Sequence, residues 1–255
     1  MSKIRKIAFL GSKAIGAFCL SELINRQDKL KAEVIAVLTK ANKLDSGETV
    51  LSLAKENKIP VLTSLNDLKK IDDLDIIISV QHHEILRSEH IELASQIAVN
   101  LHMAPLPEYR GCNQFTFAIL DEAKTFGATL HQLEPGIDSG SILFEKRFPV
   151  PEKFTVKELY EKTVETSKKL FSEKIEDLIK GNYSPVSQSD LEEERGSSYH
   201  YRHEIDEVKK IDLSWPKEKI EKHIRATHLP PFPPPYAIKN GQKVELTLDK
   251  LDKIK

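Results

Sequence analysis

The stretch KIAFLGS, residues 6–12, and the segment AIGAFCLSELINRQ after it, residues 14–27, decide the fold. The first is a short apolar run that ends at Gly11, and the second places its apolar residues at helical spacing. This order predicts a buried strand, a tight turn and a helix. The opening of the chain therefore favours an α/β protein.

The alternation of strands and helices continues outward from this stretch. The sequence predicts further strands at 32–40, 59–63, 73–81 and 97–103, with helices at 49–58 and 90–96. A helix at 113–123, strands at 127–134 and 141–150, and a long amphipathic helix at 155–182 follow. Because the first strands are apolar on both faces, we expect a mostly parallel, Rossmann-like sheet with helices on both faces.

The character of the chain changes near residue 184. The long helix has a capping box, Thr155 and Glu158, and a C-terminal stop at Gly181. Polar, loop-rich sequence follows, with an Asn-Gly turn that predicts a β-hairpin. We therefore expect a main α/β domain over 1–184 and a small C-terminal subdomain with a β-hairpin over 185–255.

Composition limits the classes of function. Lysine and arginine total 38 against 39 acidic residues, and the net charge is −1. Nucleic-acid binders usually carry a basic excess, so no nucleic-acid partner is expected. Cys19 and Cys112 are the only cysteines, and no apolar run is long enough for a signal peptide or a membrane span. These features predict a cytoplasmic protein without a membrane partner.

Two other patterns carry less chemistry. The turn GSKAIG, residues 11–16, lacks the G-x-G-x-x-G spacing of dinucleotide sites, so a structural turn is favoured over a cofactor cradle. The nine histidines include His82 and His83, which would point to opposite sides of an extended segment. Without a metal-ligand spacing, we expect solvated or hydrogen-bonded imidazoles and no metal site.

Asn100 and His102 stand two positions apart at the end of a predicted strand, and both side chains therefore point to one face. Open α/β sheets bind ligands at this edge. The pair could tie down the next loop, or it could be catalytic. A second segment, 133–144, favours catalysis because Gly136 and Gly140 flank Asp138 there. Together Asn, His and Asp can stabilise an oxyanion and move protons in acyl transfer.

The stretches NLHMAPLPEYRG, residues 100–111, and GATLHQLEPGIDSGSILF, residues 127–144, resemble the folate-dependent formyltransferase family. That family includes methionyl-tRNA, glycinamide ribonucleotide and sugar N-formyltransferases. The resemblance extends from KIAFLGS through HIRATHLPPFPPPYA, residues 223–237.

The resemblance implies formyl transfer from 10-formyltetrahydrofolate, a co-substrate, to an amine. Asn100 would hold the oxyanion, His102 would handle a proton, and Asp138 would support the histidine. The folate would lie against two loops, whose residues are Glu84, Ile85, Leu86, Glu134, Pro135, Gly136 and Ile137.

The resemblance is best with enzymes that act on nucleotide-linked amino sugars for surface polysaccharide such as the lipopolysaccharide O-antigen. It implies a dTDP-linked 4-amino-4,6-dideoxyhexose as substrate. Residues expected near that substrate are Arg110, Gly111, Tyr199, Tyr201, Arg202 and Phe232. Formylation of another amine such as methionyl-tRNA, or a non-catalytic folate- or nucleotide-binding module, stays open. Relatives often dimerise, so we expect a possible homodimer.

Overall fold

The computed structural model describes residues 3–40 and 47–253. The strands are β1 Arg5–Gly11, β2 Ala32–Leu38, β3 Val61–Leu62, β4 Ile76–Val80, β5 Ile97–His102, β6 Arg110–Gly111, β7 Thr125–Gln132, β8 Ile142–Pro149, β9 Tyr199–His200, β10 Tyr236–Lys239 and β11 Gln242–Glu245. The helices are α1 Lys13–Leu30, α2 Val50–Glu56, α3 Ser88–Ile91, α4 Gln114–Leu120, α5 Val156–Lys180, α6 Ser189–Arg195, α7 Glu204–Val208 and α8 Lys217–Thr227. Short 3₁₀ helices lie at Leu65–Lys70 and Leu248–Lys253.

A seven-stranded sheet with the order β3-β2-β1-β4-β5-β7-β8 forms the centre of the protein. The strands from β3 to β5 are parallel, whereas β7 is antiparallel to β5 and β8 to β7. The predicted mostly parallel sheet is therefore confirmed. The antiparallel β7 brings a second chain segment alongside the carboxyl end of β5.

The side chains of β1 show why both faces of the sheet are covered. Ile7 and Phe9 pack into the cluster that includes residues of α1 and α5, while Ala8 and Leu10 pack on the opposite face with Leu65 of the 3₁₀ helix. Successive strand residues alternate between faces, so a strand apolar at every position needs cover on both sides. The predicted helices on both faces are confirmed.

The long helix has the ends that its sequence predicts. The Thr155 amide donates to the Glu158 carboxylate at 2.8 Å, and the Glu158 amide donates to the Thr155 hydroxyl at 3.3 Å. Gly181 follows the helix with a φ of 77°. These contacts satisfy free backbone groups at both helix ends. By contrast, the helix predicted at 90–96 is a single turn that begins earlier, at Ser88.

The chain beyond residue 184 contains more regular structure than predicted. The hairpin of β10 and β11 is confirmed, with positive φ at Asn240 and Gly241. The loop-rich interpretation was wrong for α6, α7 and α8. Ile220 and Ile224, four residues apart in α8, were the overlooked helical signal, and both are buried in a satellite cluster. None of the helices among residues 3–40 and 47–253 has the length and apolar character to cross a bilayer.

Candidate active site

Two strands of opposite direction bring the expected catalytic residues to one edge of the sheet. In the β5–β7 ladder, Asn100 lies opposite His131 and His102 opposite Thr129. Asn100 and His102 therefore point to the same face, as their spacing predicts. Asp138 comes from the loop after β7, and its Oδ1 lies 3.5 Å from the Nδ1 of His102. The structure thus brings the three side chains together.

The contacts of His102 indicate which ring nitrogen is available for chemistry. Its Nε2 lies 2.8 Å from the backbone carbonyl of Tyr109. A carbonyl only accepts hydrogen bonds, so Nε2 carries the proton in the neutral ring and Nδ1 holds the free lone pair. That lone pair faces the side of Asp138. His102 can therefore accept a proton on Nδ1 beside a carboxylate that stabilises the resulting cation.

Asp138 is held in its ionised form. Burial opposes ionisation, but the positive charge that His102 and His131 carry when protonated, together with the hydrogen bond from the Gly111 amide, outweighs it, so the pKa of Asp138 lies below its usual range. The Gly111 amide donates to Oδ2 at 3.0 Å. The carboxylate is therefore a fixed negative charge at neutral pH.

His131 is a site residue that the sequence analysis missed. Its side chain is only 1% exposed, and its Nδ1 lies 2.7 Å from the backbone carbonyl of Gln132. The proton therefore resides on Nδ1, and Nε2 accepts a hydrogen bond from the Asn100 Nδ2 at 3.2 Å. The same Nε2 lies 3.5 Å from Asp138 Oδ1. This contact fixes the amide orientation of Asn100, and within residues 3–40 and 47–253 no acceptor occupies its second N–H.

The arrangement combines the groups that acyl transfer requires. Asn100 offers an N–H donor for a carbonyl oxygen that gains negative charge, and His102 offers a lone pair for a proton. Asp138 offers a fixed negative charge beside the imidazole.

Arg110 and Gly111, expected to contact substrate, form the short strand β6, which pairs with β9. The guanidinium of Arg110 donates to Gln188 at 2.8 Å and to Glu192 at 3.0 Å. Gly111 has a φ of 84°, and a Cβ there would collide with the backbone carbonyl of His200. Only glycine fits this close approach.

The β6–β9 pairing places residues 199–202, called here the tyrosine loop, beside the site. Tyr199 and Tyr201 have ring centroids 4.8 Å apart, and the Tyr201 ring is 56% exposed. Burial, together with the nearby Tyr201, Cys112 and Asp138, raises the pKa of Tyr199. Arg202 is exposed in the same loop, and its carbonyl accepts from Asn113 at 3.3 Å. Phe232 is half exposed in the separate proline-rich segment.

The two loops expected to hold a folate border the same apolar cluster, which contains Leu86 and Leu133. Among the described residues, no hydrogen bond uses the backbone amides of Glu84, Ile85 or Leu86. Ile85 is largely exposed, and residues 134–137 are exposed as well. An apolar surface with free backbone donors fits the flat, polar-edged pterin ring of a folate.

Within the described ranges, one group of side chains has donor atoms close enough for a metal ion. His82, His83 and Glu84 bring these atoms within 4.8 Å of one another. The divergence expected for an extended segment does not apply, because the backbone bends at residues 83 and 84, and the ring centroids of His82 and His83 lie 4.8 Å apart. Burial and the adjacent His83 lower the pKa of His82 to about 4.

Known proteins with similar sequences include formyltransferases. The formyl transferase family model matches residues 5–175. The bifunctional polymyxin resistance protein ArnA of Wigglesworthia glossinidia brevipalpis is 31% identical over 236 residues, which cover 88% of this chain and 35% of that protein. GDP-perosamine N-formyltransferase of Brucella melitensis is 30% identical over 162 residues, which cover 64% of this chain and 60% of that protein. The chain thus spans less than two thirds of either relative.

A solved structure resembles most of this chain. It is the N-formyltransferase from Helicobacter canadensis in complex with folinic acid and dTDP-3-aminofucose, with a TM-score of 0.77 and 25% sequence identity. The match covers 94% of this chain and 86% of that one. With the family model matching well over half of its residues, the chain belongs to the formyl transferase family.

Proposed function

We propose that this protein transfers the formyl group of 10-formyltetrahydrofolate to the amine of a nucleotide-linked amino sugar. The observation that carries the proposal is the convergence of Asn100, His102 and Asp138, with Asp138 Oδ1 lying 3.5 Å from His102 Nδ1. The names of relatives support the acceptor class, since one acts on GDP-perosamine and a solved relative binds dTDP-3-aminofucose. The specific acceptor that we expect is a dTDP-linked 4-amino-4,6-dideoxyhexose.

The mechanism follows from the hydrogen-bond pattern. The formyl donor supplies a one-carbon unit whose carbonyl carbon is attacked by the amine of the sugar. The free N–H of Asn100 donates to the carbonyl oxygen as negative charge develops there. His102 Nδ1 takes the proton that the amine nitrogen loses and returns it to the departing nitrogen of the folate. Asp138 stabilises the imidazolium between these two steps.

The folate would bind along residues 84–86 and 134–137, where the apolar cluster and the free amides fit a pterin ring. The sugar nucleotide would bind on the opposite side of His102, beside the tyrosine loop. There Tyr199 or Tyr201 would stack on the base, and Arg202 would face the diphosphate. Phe232 would shape the sugar pocket, and β6, with Arg110 and Gly111, would form its floor.

A substrate panel tests the proposal. The purified chain is incubated with 10-formyltetrahydrofolate and, in separate reactions, with methionyl-tRNA or with dTDP-, UDP- or GDP-linked 3-amino and 4-amino sugars, and mass spectrometry detects the gain of one carbonyl. Formylation of a nucleotide sugar is the expected result, with the dTDP-linked 4-amino sugar the best substrate. Formylation of methionyl-tRNA alone would overturn the acceptor class. Folate binding without turnover on any amine would overturn the catalytic assignment.

A further inference from the structure

Gln188, which lies between α5 and α6, has a buried side chain whose amide is fully used. It is 2% exposed, although glutamine is a residue that usually lies at the surface. Its Nε2 donates to the backbone carbonyls of Asp138 at 2.8 Å and Gly140 at 2.7 Å. Its Oε1 accepts from the Arg110 Nε at 2.8 Å. One side chain thus joins the Asp138 loop, the strand β6 and the start of the C-terminal region.

The loop that carries Asp138 needs such an external support. Asp138 has a φ of 52°, in the left-handed region that costs a non-glycine residue free energy. Among the described residues, no donor other than Gln188 bonds the carbonyls of Asp138 and Gly140. The surrounding structure must hold an unfavourable backbone conformation in place, and the side-chain amide of Gln188 supplies the hydrogen bonds to these two backbone carbonyls.

The side-chain amide of Gln188 also acts on Asp138 indirectly, through Arg110 and Gly111. Arg110, which donates to Gln188, precedes Gly111, whose amide donates to the Asp138 carboxylate at 3.0 Å. Gln188 therefore fixes both the backbone of Asp138 and the short strand that orients its carboxylate. The carboxylate oxygen that faces His102 and His131 lies 3.5 Å from each ring.

We propose that Gln188 is a positioning residue, which holds the Asp138 carboxylate at the distance from His102 that formyl transfer requires. The inference rests on the proposed function, because it concerns the use that the reaction makes of Asp138. Gln188 itself touches no reacting atom. Displacement of a catalytic group by about 1 Å is enough to lower turnover about 100-fold, so the effect of losing this support is measurable.

The test compares Gln188→Glu with Gln96→Glu. Glutamate at 188 keeps the volume and the acceptor for Arg110 but cannot donate to the two loop carbonyls. Gln96 is the matched control because its Nε2 also donates to a backbone carbonyl, that of Ile179 at 3.0 Å, at the end of α5. We expect Gln188→Glu to lower kcat by about 10- to 100-fold, with KM for both substrates changed by less than about threefold.

A second measurement does not require the identity of the amine substrate. Amide hydrogen exchange of the peptide that covers residues 133–141 should be faster in Gln188→Glu and in the neutral variant Gln188→Met, but not in Gln96→Glu. Wild-type kcat together with wild-type exchange in folded Gln188→Met would overturn the inference. Asp138→Asn separates the two proposals. If that variant turns over normally, the mechanism fails, whereas an inactive Asp138→Asn with fully active Gln188 variants refutes only the role of Gln188.

Discussion

The Nδ2 atom of Asn100 lies 3.2 Å from the Nε2 atom of His131, directly across the ladder between β5 and β7. This contact decides how the amide of Asn100 is turned, since the Nδ1 of His131 is engaged by the Gln132 carbonyl. The neutral imidazole therefore accepts from Asn100, and this contact fixes which end of the amide is the donor. Asn100 alone, without His131, could present either its oxygen or its nitrogen.

We expect His131→Phe to lower kcat by about 10- to 100-fold, because the amide of Asn100 would lose the acceptor that orients it. The phenyl ring preserves most of the packing but leaves the Gln132 carbonyl and the Asn100 amide without their buried partner, so we also expect a loss of about 1–3 kcal/mol in the free energy of unfolding. His223→Phe is the control, since His223 lies on α8, where its Nδ1 lies 3.3 Å from the Val208 carbonyl and its ring centroid lies 4.7 Å from that of Trp215. Steady-state kinetics of both variants checks the prediction. Equal turnover by the two variants would show that His131 does not orient Asn100 for the reaction.

Gly111→Ala should lower both stability and activity. The residue has a φ of 84°, and a Cβ would collide with the carbonyl of His200, so we expect a loss of about 2–3 kcal/mol in the free energy of unfolding. Gly181→Ala is the control, because Gly181 has a similar φ of 77° but open space around it. That change should cost about 1 kcal/mol and leave kcat intact. Urea unfolding measures the free energy of unfolding of both variants. Similar losses of this free energy in the two variants would contradict the role of the β6–β9 contact.

The charge of Asp138 predicts a pH dependence of stability. The pKa of Asp138 is depressed in the folded protein. The ionised carboxylate therefore contributes fully to the free energy of unfolding above the unfolded-state pKa of about 3.9. That contribution is lost as the pH falls through the lower, folded-state pKa. The difference in the free energy of unfolding between wild type and Asp138→Asn should therefore be larger at pH 7 than at pH 3. Urea titrations at the two pH values test this, and a constant difference would show that the carboxylate is not selectively stabilised.

Tyr201→Ala should raise KM for the sugar nucleotide about 10-fold, because the exposed ring would no longer stack on the base, whereas KM for the folate stays unchanged. Tyr201→Phe preserves the ring face and should retain a near wild-type KM. Initial-rate measurements at saturating folate separate the two effects. If Tyr201→Phe raises KM for the sugar nucleotide as much as Tyr201→Ala does, the hydroxyl of Tyr201 binds the substrate by a hydrogen bond and stacking is not the explanation.

Much of the fold could be predicted from local patterns. The doubly apolar strands, the capping box of Thr155 and Glu158 and the Asn-Gly turn each act through neighbouring residues, and the structure confirms them. The pairing of Asn100 with His102 on one face likewise follows from strand geometry. Such features depend on spacing along the chain.

The site residues that were missed depend on register and on distant contacts. His131 becomes important only because β7 runs antiparallel to β5 and places it opposite Asn100. Gln188 lies 50 residues beyond Asp138 along the chain, and no periodicity connects the two. Helix α8 was overlooked because its buried Ile220 and Ile224 stand among charged residues. The boundary at residue 184 and the homodimer remain predictions.

His102 is the group that we expect to move the proton between the amine and the folate. Single-turnover formyl transfer, followed by mass spectrometry with the best acceptor of the panel, measures this directly in wild type, His102→Ala and the control His223→Ala. We predict that His102→Ala is slower than wild type by at least about 100-fold, whereas His223→Ala matches wild type. Formyl transfer by His102→Ala at the wild-type rate would contradict the account.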